Sequence, residues 1–226
     1  MTFEDHDQSA PRTNDAWADA LARAVQLALA TLRSAPSEAD AEAWDATAGS
    51  LEWTCWETAE HLADDLFFYG MQIGTPGLPA GTYIPLQMHR QRPEGPVNIL
   101  QADREPGPSG LLTVLEACGA MQVSLTRTTP PSARAHHASG ASDPAGFAAM
   151  GIVETLLHTY DITAGLGLEF TAPDDLCALV LGRLFPHVES DKEPWPTLLW
   201  ATGRGELPGQ ERLEKWRWYG EVRQAE

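Results

Sequence analysis

Residues 143–165, DPAGFAAMGIVETLLHTYDITAG, contain the helix from which the fold can be worked out. Asp143 can cap the free amides at a helix start, and Pro144 suits the first helical position because no amide hydrogen is needed there. Gly165 marks the end of the helix. One side carries apolar residues three and four apart, which is typical of a packing face: Val153, Leu156, Leu157, Tyr160 and Ala164. These signals predict one helix of a helical bundle.

Polar residues with metal-binding chemistry lie on another side of this helix. Glu154 and His158 are four residues apart, so their side chains lie one turn apart on the same face. A carboxylate and an imidazole that project from one helix can each supply a ligand to a metal ion. Asp161, one turn further on, is placed to orient His158. The same spacing is common on solvent-exposed helices, so by itself it leaves both interpretations open.

Several other segments carry helix signals. Apolar spacing predicts a first helix that begins at Asn14 or Asp15 and ends near residue 34. Thr54-Cys55-Trp56-Glu57 has the form of a capping box and starts a second helix. Further helices are predicted over residues 111–126 and 173–185. The predicted fold class is therefore mainly α, a four-helix bundle with additional short helices and loops.

The remaining segments are interpreted as a leader and long loops. Residues 1–13 are predicted to be a disordered leader, and residues 14–226 to form a single helical domain. Residues 74–110 are rich in proline and glycine and are predicted to cross over the bundle with at most a small hairpin. Loops of this length often serve as lids or walls of a site.

His61 lies in the middle of the second helix, away from that helix's apolar stripe. Its own face carries mostly polar residues: Thr54, Glu57, Asp65 and Phe68. This pattern is consistent with a solvent-exposed histidine and equally with one that lines a polar cleft. As a third ligand beside Glu154 and His158, His61 would leave one coordination position open to water or substrate, as catalytic sites require.

Composition narrows the range of partners. The 226-residue chain has a formal net charge of −17, from 15 Lys+Arg against 32 Asp+Glu, which disfavours nucleic acids and anionic membranes. No apolar run approaches the ~20 residues that span a bilayer, and no secretory signal is evident. The three cysteines are widely spaced and form no disulfide framework, so we expect a cytoplasmic protein. We also expect the protein to be a monomer or homodimer and to bind small molecules.

Three short motifs resemble those of a known family. Glu52-Trp53-Thr54 followed by Glu60-His61-Leu62-Ala63 resembles the "WT…HLA" signature of DinB-like proteins, and more closely the N-terminal domain of mycothiol-dependent maleylpyruvate isomerases. Residues 153–162, VETLLHTYDI, resemble the second signature of that family. Residues 198–204, LLWATGR, look like a segment of its actinobacterial members. The resemblance spans roughly Trp17 to Trp218, and the three motifs together are more specific than any one of them.

The resemblance implies a DinB-like four-helix bundle with a divalent metal, usually zinc, held by His61, Glu154 and His158. It also implies a metal-dependent enzyme that activates a low-molecular-weight thiol such as mycothiol, as cosubstrate, for S-transfer to or isomerisation of an electrophilic small molecule. A metal lowers the pKa of a bound thiol or water. The isomerases carry a further C-terminal domain that contributes to the active site, and we expect this chain to lack it.

Supporting roles and other functions stay open. Asp161 and Arg204 are the predicted catalytic supporting residues, and Arg204 can grip a substrate carboxylate or simply stabilise its turn. Cys55 at a helix start is interpreted as a packing residue rather than a nucleophile. Two alternative functions use the same fold and metal: a biosynthetic enzyme for hydrolysis, cyclisation or epimerisation, and a non-catalytic metal-binding accessory protein.

Overall fold

The computed structural model describes residues 13–35, 38–75, 77–189 and 191–223. Within these ranges the regular structure is helical and no strand is formed, which confirms the predicted mainly α class. The elements are α1 (Asn14–Leu32), a 3₁₀ helix (Glu38–Asp45), α2 (Cys55–Ile73), α3 (Gly107–Thr128), α4 (Pro144–Gly165), α5 (Asp174–Leu184) and α6 (Pro194–Ala201). The predicted leader, residues 1–13, lies outside the described residues except for Thr13.

Helices α1 to α4 form a four-helix bundle. Helix α2 packs against α3 and α4, and α1 packs against the same two helices, so α1 and α2 lie diagonally opposite each other. Helix α5 packs on α4, and α6 packs on α5. One continuous apolar core contains residues from all six helices. None of the described helices is both long and apolar enough to cross a membrane.

The predicted starts of α2 and α4 are confirmed by their capping bonds, whereas α3 begins at Gly107, before the predicted residue 111. Thr54 Oγ1 accepts from the Glu57 amide at 3.1 Å, and the Glu57 carboxylate accepts from the Thr54 amide at 2.9 Å, which completes the capping box of α2. Asp143 caps α4 by accepting from the Gly146 amide at 2.8 Å. Helix α4 spans Pro144 to Gly165 as predicted, because both boundary signals are local.

Helix α4 is enclosed on nearly every side. It contacts α1, α2, α3 and α5, so its polar residues lie inside the protein together with its apolar ones. His158 is 6% exposed and Asp161 is 1% exposed. The interpretation of this face as an ordinary solvent-exposed helix surface is therefore wrong, because α2 and the residues after α6 cover it.

The long segment between α2 and α3 lies over the polar face of α2. Its only ladder contact among the described residues is one antiparallel bridge, between His89 and Asn98, so the predicted small hairpin is reduced to a single pair. Carboxylates of α2 hold the segment instead. Asp64 Oδ1 accepts from the amides of Ile99 and Leu100, and Glu60 Oε1 accepts from the amide of Ala102 at 2.8 Å.

Two helical glycines, Gly165 and Gly182, provide a test of how closely the end of α4 packs against its neighbours. A Cβ at Gly165 would meet the Thr47 carbonyl oxygen and Cys55 Sγ well inside contact distance, whereas a Cβ at Gly182 of α5 would meet nothing. We expect Gly165→Ala to lower the free energy of unfolding by about 1–3 kcal/mol through overpacking. Gly182→Ala is expected to raise it by about 0.5–1 kcal/mol because alanine favours a helix interior. Urea unfolding of both variants measures this, and equal effects would contradict the close approach.

Candidate metal centre

Helices α2 and α4 each present a histidine and a carboxylate, side chains of the types that bind metals, four residues apart. His61 and Asp65 come from α2, and Glu154 and His158 come from α4. Because the two helices pack side by side, the pairs face each other. His61 Nε2 lies 3.5 Å from Asp65 Oδ2, and His158 Nε2 lies 3.3 Å from Glu154 Oε2. Side chains from two facing helices therefore converge on one point in the bundle.

Three of these residues form a group that could hold a metal ion. His61, Asp65 and His158 each offer one ligand atom, and these atoms lie within 4.8 Å of one another. Donors bound to one zinc ion at about 2.0–2.2 Å lie about 3–4 Å apart, so the group needs little adjustment. Asp65 Oδ2 is buried and has no hydrogen-bond partner among the described residues. A buried carboxylate oxygen without a partner is costly, and a bound cation would remove that cost.

The structure adds Asp65 to the residues that the sequence indicated. His61 and His158 lie in the group as expected, and Glu154 contacts His158 and faces the adjoining cleft. In the sequence, Asp65 stands out only as a polar residue on the same helix face as His61. Its spacing from His61 equals that of Glu154 from His158, and this repeated four-residue interval was the signal available in the sequence. Metal ligation by Glu154 stays a prediction.

His61 is oriented by a residue of the long segment. Its Nδ1 lies 2.8 Å from Asn98 Oδ1, and Asn98 is 3% exposed. With this carbonyl oxygen as acceptor, Nδ1 carries the proton and Nε2 presents its lone pair towards Asp65 and His158. The Trp53 ring packs edge-on against the imidazole with 4.7 Å between centroids. Burial, followed by the nearby charge of His158, lowers the pKa of His61, which favours the neutral form that binds metals.

His158 lies between two carboxylates. Its Nε2 faces Glu154, and its Nδ1 lies 3.6 Å from Asp161 Oδ2, too far for a hydrogen bond but close enough for a strong electrostatic contact. Burial acts to lower the pKa of His158, but these two carboxylates outweigh it and raise the pKa to about 9. Burial, and then the charge of Glu154, raises the pKa of Asp65 well above its ordinary value.

Arg204 holds Asp161 in place. Its Nε lies 3.0 and 3.1 Å from the two Asp161 oxygens, and its Nη2 donates to Oδ2 at 2.6 Å. Nη1 donates to the Thr202 carbonyl. The side chains of Arg204 and Asp161 are only 10% and 2% exposed. The predicted supporting pair is therefore an ion pair behind His158, and most donors of Arg204 are already used by the protein.

A cleft of about 840 Å³ opens beside the metal-binding group. Glu154 and His158 line it, so a small molecule that enters the cleft reaches the two ligand candidates of α4. The other walls come from the segment before α2 and from the segment after α6. They include two tryptophans and two arginines: Trp53, Trp216, Arg204 and Arg212.

The remaining candidates stand apart from this group. Cys55 is fully buried and burial raises the pKa of its thiol to about 11, in agreement with its interpretation as a packing residue. Cys118 and Cys177 are also buried free thiols. The loop histidines His136 and His137 pack against aromatic rings, those of Tyr83 and Tyr69 respectively.

Comparisons with known proteins identify no similar protein. No family model matches this sequence, and no curated protein or solved structure is significantly similar to it. The DinB-like resemblance therefore depends on the three motifs in the sequence. The group of His61, Asp65 and His158 is an independent observation, because it follows from the packing of α2 on α4.

Loss of Asp65 tests the metal-binding group. We expect Asp65→Ala to weaken zinc binding by more than about 100-fold, which exceeds the 10–100-fold effect of a residue that only orients a ligand. A competition titration against a chromophoric chelator measures this, with Asp175→Ala as control, since Asp175 is an exposed carboxylate paired with Arg23. In the metal-free state at neutral pH, Asp65→Asn should be at least as stable as the parent, because the raised pKa of Asp65 means that its carboxyl takes up a proton on folding at a cost in stability, which an amide does not. Unchanged zinc affinity in Asp65→Ala would rule out its role as a ligand.

Arg204 and Arg23 form a matched pair of ion-paired arginines. We expect Arg204→Met to destabilise the protein by about 3–5 kcal/mol, because Asp161 is then left charged and buried without its partner. Arg23→Met removes an ion pair whose side chains are 55% and 62% exposed, and should cost less than about 1 kcal/mol. Chemical unfolding distinguishes the two. A small loss in Arg204→Met would show that Asp161 is satisfied by other groups.

Proposed function

We propose that this protein is a metal-dependent enzyme that activates a low-molecular-weight thiol of the mycothiol type for attack on an electrophilic small molecule. The observation that carries the proposal is the juxtaposition of His61, Asp65 and His158 with a cleft that Glu154 and His158 line. Structural metal sites are usually closed by four protein ligands, whereas catalytic sites stay accessible. Access from a cleft favours the catalytic type.

The protein residues prepare the site in two ways. Asn98 fixes the proton of His61 on Nδ1, and the ion pair of Arg204 with Asp161 holds a negative charge beside Nδ1 of His158. The Nε2 atom of His61 faces Asp65, and the Nε2 atom of His158 faces Glu154. Ligands that are held this way need little rearrangement when an ion binds. A divalent ion bound there would lower the pKa of a thiol or water and supply a nucleophile at neutral pH.

The cleft suits a small organic substrate together with a thiol. Its volume of about 840 Å³ is within the roughly 300–1,000 Å³ that is usual for small-molecule sites. Trp53 and Trp216 offer apolar surface, and the rim of the cleft is polar. The choice of a thiol over water as nucleophile, and of zinc over other divalent ions, is supported by the sequence resemblance.

The proposed chemistry balances without a redox partner. The thiol releases its proton to solvent, and the sulfur electron pair forms a C–S bond with the electrophilic carbon. In S-transfer, a leaving group departs with the electrons of the bond that breaks. In isomerisation, the C–S bond forms as the π electron pair of the substrate C=C bond shifts onto a conjugated carbonyl oxygen. After rotation about the resulting C–C single bond, that pair re-forms the C=C bond, the C–S bond breaks, and the released thiolate takes up a proton from solvent.

Turnover by zinc-loaded protein tests this function. With mycothiol and a fluorogenic haloalkane, we expect thiol consumption and product formation well above the uncatalysed rate, and a loss of at least about 100-fold in His158→Ala. Glu116→Gln, at an exposed carboxylate remote from the cleft lining, serves as control. Equal rates for the parent protein, His158→Ala and the metal-free protein would overturn the proposal. Product formation without thiol would favour a hydrolytic enzyme.

A further inference from the structure

The cleft contains a second arginine in a different situation from Arg204. Arg212 lies in the segment after α6, is exposed, and lines the cleft together with His158 and Glu154. Its Nε donates to the Gly203 carbonyl, and its Nη2 donates to Ser50 Oγ at 3.1 Å. These two bonds fix the plane of the guanidinium, and no acceptor among the described residues is bonded to Nη1 or to the second hydrogen of Nη2. A planar guanidinium with free donors is suited to bidentate binding of an oxyanion.

The charge of Arg212 is not neutralised by its surroundings. Among the described residues no carboxylate lies within 4.0 Å of its nitrogens, although Glu214 lines the same cleft. Arg204, the other arginine of the lining, is held by both oxygens of Asp161. In a chain with a net charge of −17, acidic partners are plentiful, so the lack of a carboxylate partner for Arg212 among the described residues leaves its charge available to a ligand in this cleft.

We propose that Arg212, assisted by the Ser50 hydroxyl, binds an oxyanionic group of the electrophilic substrate, a carboxylate or a phosphate ester. This inference rests on the proposed function, because the bound anion is a substrate only if the protein catalyses the proposed reaction. Arg212 and Ser50 then act as specificity residues. They anchor the charged end of the substrate while its electrophilic carbon lies in the part of the cleft lined by Glu154 and His158. The favoured substrates are small organic anions rather than neutral electrophiles.

The proposed oxyanion site and the metal-binding group are formed by different parts of the chain. Arg212 is attached to Ser50, which precedes α2, and to Gly203, which follows α6. It therefore lies at the outer wall of the cleft, whereas His61 and His158 belong to the bundle helices.

Side-chain NMR of Arg212 tests the binding directly. In zinc-loaded protein at constant ionic strength, we expect acetate, succinate and inorganic phosphate to shift the Arg212 Nε–Hε resonance in a saturable manner. Apparent affinities of Arg212→Gln, read from backbone amides of the cleft, should fall by about tenfold. Arg212→Lys should lose less because it keeps the charge. Arg134→Gln is the matched control, since Arg134 is also exposed and bonded to backbone carbonyls but lies outside the cleft lining.

The outcomes separate the two proposals. Tighter binding of the carboxylates identifies a carboxylate substrate, and tighter binding of phosphate identifies a phosphate ester. Identical affinities for the parent protein, Arg212→Gln and Arg134→Gln would overturn the role of Arg212 and leave the metal-dependent function standing. Conversely, an Arg212-dependent shift in a protein that fails the thiol turnover test would retain the anion site and remove the proposed reaction. Circular dichroism of each variant confirms that its fold is retained.

Discussion

Glu57, Glu60 and Asp64 lie on one face of α2, where carboxylates would ordinarily be solvated. Here each is partly or fully buried and accepts hydrogen bonds from the long segment before α3: Glu57 from Arg92 at 2.7 Å, Glu60 from a backbone amide, and Asp64 from two. Because buried carboxylates are tolerated only when their oxygens are satisfied, the segment and the helix depend on each other. The position of Asn98, and through it the orientation of His61, follows from this attachment.

Asp65 differs from the other acidic residues of α2 in what surrounds it. It points towards α4 rather than towards the long segment, and its Oδ2 has no hydrogen-bond partner within the described part of the chain. Its neighbouring titratable groups include His61, at 3.5 Å, and the carboxylate of Glu154 and imidazole of His158 in α4. Three carboxylates of α2, those of Glu57, Glu60 and Asp64, therefore bind the long segment, whereas the carboxylate of Asp65 faces α4. This carboxylate, together with His61 and His158, forms the group that could hold a metal ion.

Local signals in the sequence predicted most of the helices, whereas the site required knowledge of packing. The capping box at Thr54 and the Asp143-Pro144 start depend on residues within one turn, so they could be recognised directly. The polar face of His61 was ambiguous because a helical wheel does not show what covers a helix. The long segment and α4 cover this face of α2 only in the folded protein. Because local sequence does not show such tertiary contacts, Asp65 and Asn98 could not be predicted as parts of the site.

Charge neutrality links these features to a divalent ion. When both histidines are neutral, the buried cluster contains the carboxylates of Asp65, Glu154 and Asp161 and one guanidinium, that of Arg204. Two negative charges then remain, which is the charge that one divalent cation neutralises. Without a metal, protons take its place, because the pKa values of Asp65 and His158 are both raised. Binding of an ion must displace these protons. The cluster is therefore neutral in both states, with protons in the metal-free protein and with the divalent ion in the metal-bound protein.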